Sequence, residues 1–402
     1  MNKNVGRPQG SRLGSLTGVR FPAIFLVFLN HIHIGIAFSS QSASNTYYKY
    51  FGWIGQAGLS LFFLISGFLL VWTARENESP LLFWRRRIIR IAPMHWVTFA
   101  LSMVIFASPI VTDTAAVLNF LMLSSWSSDP EIFGSMNAPS WSLTLLMFFY
   151  LAFPALHRGV KRIPTKYLWW CAAAVVAVIV SITVVVRAVV PVDPLIVPQA
   201  PASSVKAFYY IQIFPVTRIL EFLLGILMAR IVLSGQWIKF ARPLLLTGLL
   251  VIGFLVAYQL PREYRLVAAM IIPVALFVAG LGAADIEGRK SILASRPLQW
   301  LGDISFAFFL IHWPVIMFFL DVFGETRTNS VPEFIGLAAL DFSVSIVLAW
   351  LLTIGLERPL VRLLSKPRGR KKNDDRPETT DSTVSSPSVD SPPVGSSASA
   401  AN

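Results

Sequence analysis

Charge and cysteine are what this 402-residue sequence has least of. Charged residues make up 14% of it, against about 25% in an ordinary soluble domain. The single cysteine, Cys171, excludes an intrachain disulfide and any cysteine-based metal centre. Acids are scarcer than bases, 21 against 34, leaving a formal charge of +13. The charges are also unevenly spread, parting runs of about 20 apolar residues, the length that crosses a bilayer core of roughly 30 Å. A water-soluble globule is therefore excluded. The net positive charge reads as basic cytoplasmic loops, and nucleic acid is set aside as a partner. The expected fold is all-α, a polytopic helical bundle with the lipid bilayer as its solvent.

Hydropathy predicts ten spans, at 21–38, 54–73, 94–111, 140–156, 167–190, 208–231, 243–260, 266–283, 300–320 and 334–356. An apolar stretch at 115–123 competes with the fourth, and loop charge decides between them. Basic residues cluster before the first span (Lys3, Arg7, Arg12, Arg20), after the second (Arg75, Arg85, Arg86, Arg87, Arg90) and after the fourth (Arg158, Lys161, Arg162, Lys166). Arg230, Lys239 and Arg242, then Arg289, Lys290 and Arg296, continue the alternation, while the intervening loops are poor in Lys and Arg. This pattern needs a span near 140–156 and puts both termini in the cytoplasm. No cleavable signal peptide is evident. The chain divides into a cytoplasmic segment 1–15, a transmembrane domain 16–365 and a tail 366–402. The tail is basic at first, then rich in Ser and Pro, and too poor in bulky apolar residues to fold.

Ionisable residues at bilayer depth are costly and face a cavity or a partner. His31 follows Arg20 by eleven positions, which returns it to nearly the same helix azimuth about three turns deeper. An imidazole there suits proton transfer, or a hydrogen bond across a helix interface. Arg218 and Glu221, three apart, share a helix face and read equally as a packing ion pair. His312 lies at a comparable depth, where Trp313 and Pro314 also fit a helix kink. Arg87 and Arg90 share a face if their stretch is helical; positive-inside topology explains them, as does binding of a polyphosphate by planar guanidinium groups.

Taken in order, these stretches resemble the acyltransferase 3 family of integral-membrane O-acyltransferases. The resemblance lies in Leu16-Thr17-Gly18-Val19-Arg20-Phe21 with His31, in Gly58 to Leu69, in Arg87 with Arg90, in Pro139-Ser140-Trp141-Ser142-Leu143, in Arg218-Ile219-Leu220-Glu221-Phe222, in Leu301-Gly302 through His312-Trp313-Pro314, and in Glu357-Arg358-Pro359. It covers about residues 13–365 and is most similar to actinobacterial members, some of which acylate macrolide sugars. One departure stands out: where the family usually has a glutamate after the Trp-Ser-Leu block, this chain has Leu146.

The resemblance implies transfer of a short acyl group from acyl-CoA, acetyl-CoA among the candidates, to a hydroxyl of a sugar-containing or lipid-linked acceptor. The acceptor classes are a secondary metabolite such as a macrolide, or a cell-surface glycan. Within it His31 is the general base, or the carrier of an acyl-enzyme intermediate, with Arg20 and Glu221 assisting. Arg87 and Arg90 hold the CoA phosphates, while Arg218, His312, Trp141 and Ser142 support the site. Acyl-CoA is a co-substrate, and no bound cofactor or metal is expected. The expected location is a bacterial plasma membrane. Two alternatives remain at this point: a proton-coupled transporter, which shares midplane histidines and an Arg–Glu pair, and a family member impaired by Leu146.

Overall fold

The structure is a computed structural model describing residues 11–75, 78–107, 111–191, 204–238, 242–324 and 327–364. The tail expected to be disordered lies outside the described residues. Among the described residues ten long helices carry the fold: α1 (Arg20–Gly35), α2 (Ile54–Trp72), α3 (Pro80–Ser102), α4 (Trp141–Arg162), α5 (Leu168–Val189), α6 (Pro215–Leu233), α7 (Pro243–Gln259), α8 (Ile271–Ile286), α9 (Arg296–Phe323) and α10 (Val331–Leu352). Each predicted span falls on one of them. Eight helical stretches among the described residues are long and apolar enough to cross a membrane. The two that fall short are α6, which carries Arg218, Glu221 and Arg230, and α7, which has only 17 residues. The competing stretch at 115–123 forms a helix of eight residues, Asp113–Phe120, too short to span. Strand structure among the described residues is confined to Ala37–Phe38 paired in parallel with Thr328–Asn329.

The bundle is layered by burial. In the stretches containing α2 and α8, 72% and 78% of the most apolar window is buried, against 17% around α5 and around α10. The outer helices leave Val178, Leu255 and Val347 exposed, as side chains facing lipid should be. With lipid as apolar as leucine, close packing must hold the inner helices together, and small residues permit it. A Cβ on Gly67 of α2 would stand 2.2 Å from the Phe222 carbonyl oxygen, and one on Gly225 of α6 would stand 2.3 Å from that of Leu64. The two backbones therefore touch. A Cβ on Gly58 would likewise meet the Ala23 carbonyl oxygen of α1 at 2.2 Å.

Two local features position the site. The first is the short, buried helix Gly14–Gly18 ahead of α1, whose N-terminal N–H groups need acceptors. The buried Asp285 carboxylate at the end of α8 accepts from the Ser15 N–H at 2.8 Å, the Ser15 hydroxyl at 2.7 Å and the Leu16 N–H at 3.3 Å. The second is the early start of α3. The hydropathy boundary at residue 94 left the arginine block in a loop, but the helix begins at Pro80, where Ser79 accepts from the Leu82 N–H at 3.3 Å. A capping serine with proline at the first helical position starts a helix whatever the hydropathy beyond it. Arg87 and Arg90 thus lie on one helix.

Candidate active site

At the end of the bundle where α1 begins and α2 ends, a cavity of about 290 Å³ is lined by Arg20, Arg87, Arg90, Leu146, Tyr150 and Ser66, with Ser11, Arg12 and Thr17 at its edge. Arg87 rests over the rings of Phe83 at 5.3 Å and Tyr150 at 5.8 Å. Its Nε is buried without a partner. Arg90 is half-exposed and meets Glu357 at 3.4 Å. A π-helical turn, Thr353–Glu357, delivers that carboxylate; such insertions re-aim side chains within an otherwise regular helix. Arg12, also at the edge, pairs with Asp303 at 2.8 Å. The cavity thus gathers Arg20, Arg87 and Arg90, three of the four arginines singled out in the sequence, and its form suits a multiply charged anion.

His31 is elsewhere. It lies eleven residues beyond Arg20 on the same helix, about 16 Å along the axis, and lines a separate pocket of about 30 Å³ with Asn30, Gln56, Trp141, Gln212 and Phe309. Aromatic packing of Phe21 on Phe308 at 5.7 Å and of Phe28 on Phe342 at 5.6 Å fixes the rotation of α1. That rotation turns His31 toward α9, where His31 Nδ1 stands 3.0 Å from His312 Nε2. His312, fully buried, has its Nδ1 3.1 Å from the Phe308 carbonyl oxygen.

These two contacts assign the neutral tautomers. A carbonyl only accepts, so His312 Nδ1 carries the proton and its Nε2 is the acceptor. His31 Nδ1 must then donate, leaving the lone pair on His31 Nε2. Both rings are thereby held in one orientation with a basic nitrogen free.

Arg218 and Glu221 form an ion pair, each 1% exposed, with the guanidinium over the Phe63 ring at 5.1 Å. They sit where α6 meets α2, and neither lines the arginine cavity or the His31 pocket. The carboxylates that meet the cavity's arginines are Glu357, on Arg90, and Asp303, on Arg12. Ser142 donates to the Pro139 carbonyl at 3.0 Å, holding the first turn of α4, and Trp141 walls the His31 pocket. His33 points away, packed on Tyr47 and Tyr48.

The position of Leu146 changes what its substitution means. Leu146 lies in the arginine cavity, not beside His31. A glutamate there would act on arginines, so its absence leaves the His31–His312 pair intact. Sequence reading also missed Gln56 and Gln212, and took Tyr150 only as part of the family's fourth-helix block, with no role in the site. The two glutamines are polar residues beside or inside apolar runs, and that signal was available.

A family model described as an acyltransferase domain matches residues 13–353. The chain belongs to the acyltransferase 3 family. It is 35% identical over 374 residues to acyltransferase MdmB of Streptomyces mycarofaciens, covering 90% of this chain and 95% of that one. It is 25% identical to peptidoglycan O-acetyltransferase OatA of Listeria monocytogenes, over 81% of this chain and 53% of the relative. The putative peptidoglycan O-acetyltransferase YrhL of Bacillus subtilis is 27% identical, over 68% and 46%. The chain thus spans about half the length of the two peptidoglycan O-acetyltransferases. No solved structure matches it. Family and relatives make the chain a multi-pass membrane acyltransferase, which decides between the enzyme and transporter readings.

Proposed function

We propose that this protein moves a short acyl group from acyl-CoA to a hydroxyl of a sugar-containing acceptor at a bacterial plasma membrane. The observation that carries the reading is the hydrogen-bonded pair His31–His312 with the lone pair of His31 Nε2 free. His31 Nε2 takes the acceptor's hydroxyl proton as that oxygen attacks the thioester carbonyl. The tetrahedral intermediate collapses, the carbon–sulfur bond breaks, and the proton passes from His31 to the departing CoA thiolate. His312 holds His31 in the correct tautomer and stabilises the imidazolium that forms between the two transfers. General-base catalysis of this kind supplies about 10²–10⁴-fold.

Arg20, Arg87 and Arg90 hold the CoA phosphates in the cavity they line. Phosphates at one end and the acyl carbon at His31 require the donor to extend along α1, and its pantetheine arm is the part long enough to do so. The acceptor approaches from the opposite end, through the pocket walled by Trp141 and Gln212. Glu221 acts through its pair with Arg218, keeping α2 and α6 in place around this path. Of the acceptor classes, a cell-surface glycan is supported by the names of two relatives. A macrolide is the alternative supported by the actinobacterial character of the sequence.

The test compares extracts of isogenic cells carrying no gene, the native gene or His31→Ala, by mass spectrometry of small molecules and of cell-wall glycan. An added acyl mass found only with the native gene identifies acceptor and acyl group together. Equal product with His31→Ala removes His31 from the mechanism.

A further inference from the structure

The bundle end opposite the arginine cavity carries a second cationic site. Asn30 Nδ2 donates to the Phe51 carbonyl there at 3.2 Å, tying the end of α1 to the segment before α2. Between that segment and the end of α7 lies a pocket of about 430 Å³, lined by Lys49, Arg262, Arg265, Tyr48, Trp53 and Tyr258 among others. Three cations line it and no carboxylate does. Glu263 lies between the two arginines in sequence; its carboxylate pairs with Arg187 at 2.8 Å and its charge also acts on Arg265, but it does not line the pocket.

Two of the three cations, Lys49 and Arg265, are held by aromatic rings. Lys49 Nζ stands 5.4 Å from the Tyr258 ring, and the Arg265 guanidinium is 5.4 Å from Tyr258 and 5.9 Å from Trp53. Arg265 Nε donates to the Leu260 carbonyl at 2.7 Å, fixing its fork. Buried polar atoms without a partner include Arg262 Nη1, the Tyr258 hydroxyl and Trp53 Nε1. All three can donate, and buried donors left unpaired are costly. Interfacial Lys, Arg, Tyr and Trp that merely anchor a helix reach into water or headgroups. These unpaired atoms are instead buried within the residues that wall the cleft.

We propose that this pocket binds the phosphate or pyrophosphate headgroup of a membrane amphiphile. A phosphoryl group offers several charged acceptor oxygens to the arginine forks and the ammonium that line the cleft. The position at one end of the bundle, within an aromatic girdle, suits a headgroup whose chains remain in the bilayer. Binding is read without turnover, so the inference stands or falls separately from the acyl-transfer reading.

The test uses the purified full-length protein in a neutral detergent, titrated with dihexanoyl phosphatidate, with inorganic pyrophosphate and with dihexanoyl phosphatidylcholine. Saturable binding of phosphatidate is expected, with weaker binding of the zwitterionic lipid. Arg262→Gln and Lys49→Gln should each weaken phosphatidate binding by at least about tenfold. Tyr258→Phe, which removes one hydroxyl and keeps the ring, should weaken it less and guards against misfolding in the charge variants. Pyrophosphate binding with the same dependence assigns recognition to the phosphate alone; phosphatidate binding without it assigns a share to the acyl chains. The proposal fails if neither phosphate probe binds saturably, if both lipids bind equally, or if folded variants bind as the native chain does.

Discussion

Replacing His312 by alanine separates its positioning role from the chemistry at His31. In the native site His31 Nδ1 donates to His312 Nε2 at 3.0 Å, which forces the His31 lone pair onto Nε2. Without that acceptor, His31 is free to place its proton on either nitrogen and to rotate. A hydrogen bond of this kind is worth about 0.5–1.5 kcal/mol, and more once His31 becomes a cation. A further loss comes from imidazolium stabilisation in the transition state, so kcat should fall by about tenfold to a hundredfold. The KM for acyl-CoA should stay near native, since the arginine cavity lies three turns away. His312→Gln, whose amide oxygen can still accept, should recover part of the loss. The assay is CoA release from purified protein in nanodiscs with the acceptor found by mass spectrometry, with thermal unfolding of each variant as a control, because His312 is fully buried. The double variant His31→Ala/His312→Ala should be no slower than His31→Ala alone, as for residues acting as one unit. Strictly multiplicative losses, or an unchanged kcat in a folded His312→Ala, would refute the relay.

Three further outcomes follow from the same geometry. Arg87→Lys keeps the charge but loses the planar fork, so KM for acyl-CoA should rise about tenfold with kcat changed little; steady-state kinetics at two salt concentrations checks this. Leu146→Glu puts a carboxylate among Arg20, Arg87 and Arg90, competing with an anionic donor, so the KM for acyl-CoA should rise several-fold; a large gain in kcat would instead mark the native chain as impaired. Gly67→Val drives a side chain into the Phe222 carbonyl, and overpacking of about 1–3 kcal/mol or more should lower the melting temperature, read by fluorescence-detected size exclusion after heating.

The helices were legible in the sequence because hydropathy is a local quantity. Every predicted span lies on a helix, and loop charge chose correctly between 140–156 and the eight-residue helix at Asp113–Phe120. Boundaries failed where local capping overrules hydropathy, as at Ser79–Pro80. The site was legible only in its parts. Arg20, Arg87, Arg90 and His31 were each singled out, but their division between two pockets depends on helix rotation, which no single-span pattern encodes. The His31–His312 bond joins residues 281 apart, and the cap on Ser15 comes from 270 residues away. Leu146 shows the limit most clearly: sequence order places it five residues after Trp141, yet the two side chains face different cavities.

The short helix Gly14–Gly18, fastened by Asp285, has a practical consequence for anyone handling this protein. Ser11, Arg12, Leu13 and Thr17 form part of the wall of the arginine cavity, and the Trp72 indole N–H donates to the Ser11 carbonyl at 2.6 Å. A clone trimmed to begin at the start of the first hydropathy span, Phe21, would keep the ten long helices described but for a single residue and would still insert. It would nonetheless lose one side of the chamber, Arg20 with it, and leave Asp285 a buried carboxylate stripped of its Ser15 and Leu16 donors. Affinity tags therefore belong beyond the last helix, and a shortened protein that is well expressed yet silent would owe its silence to the missing wall.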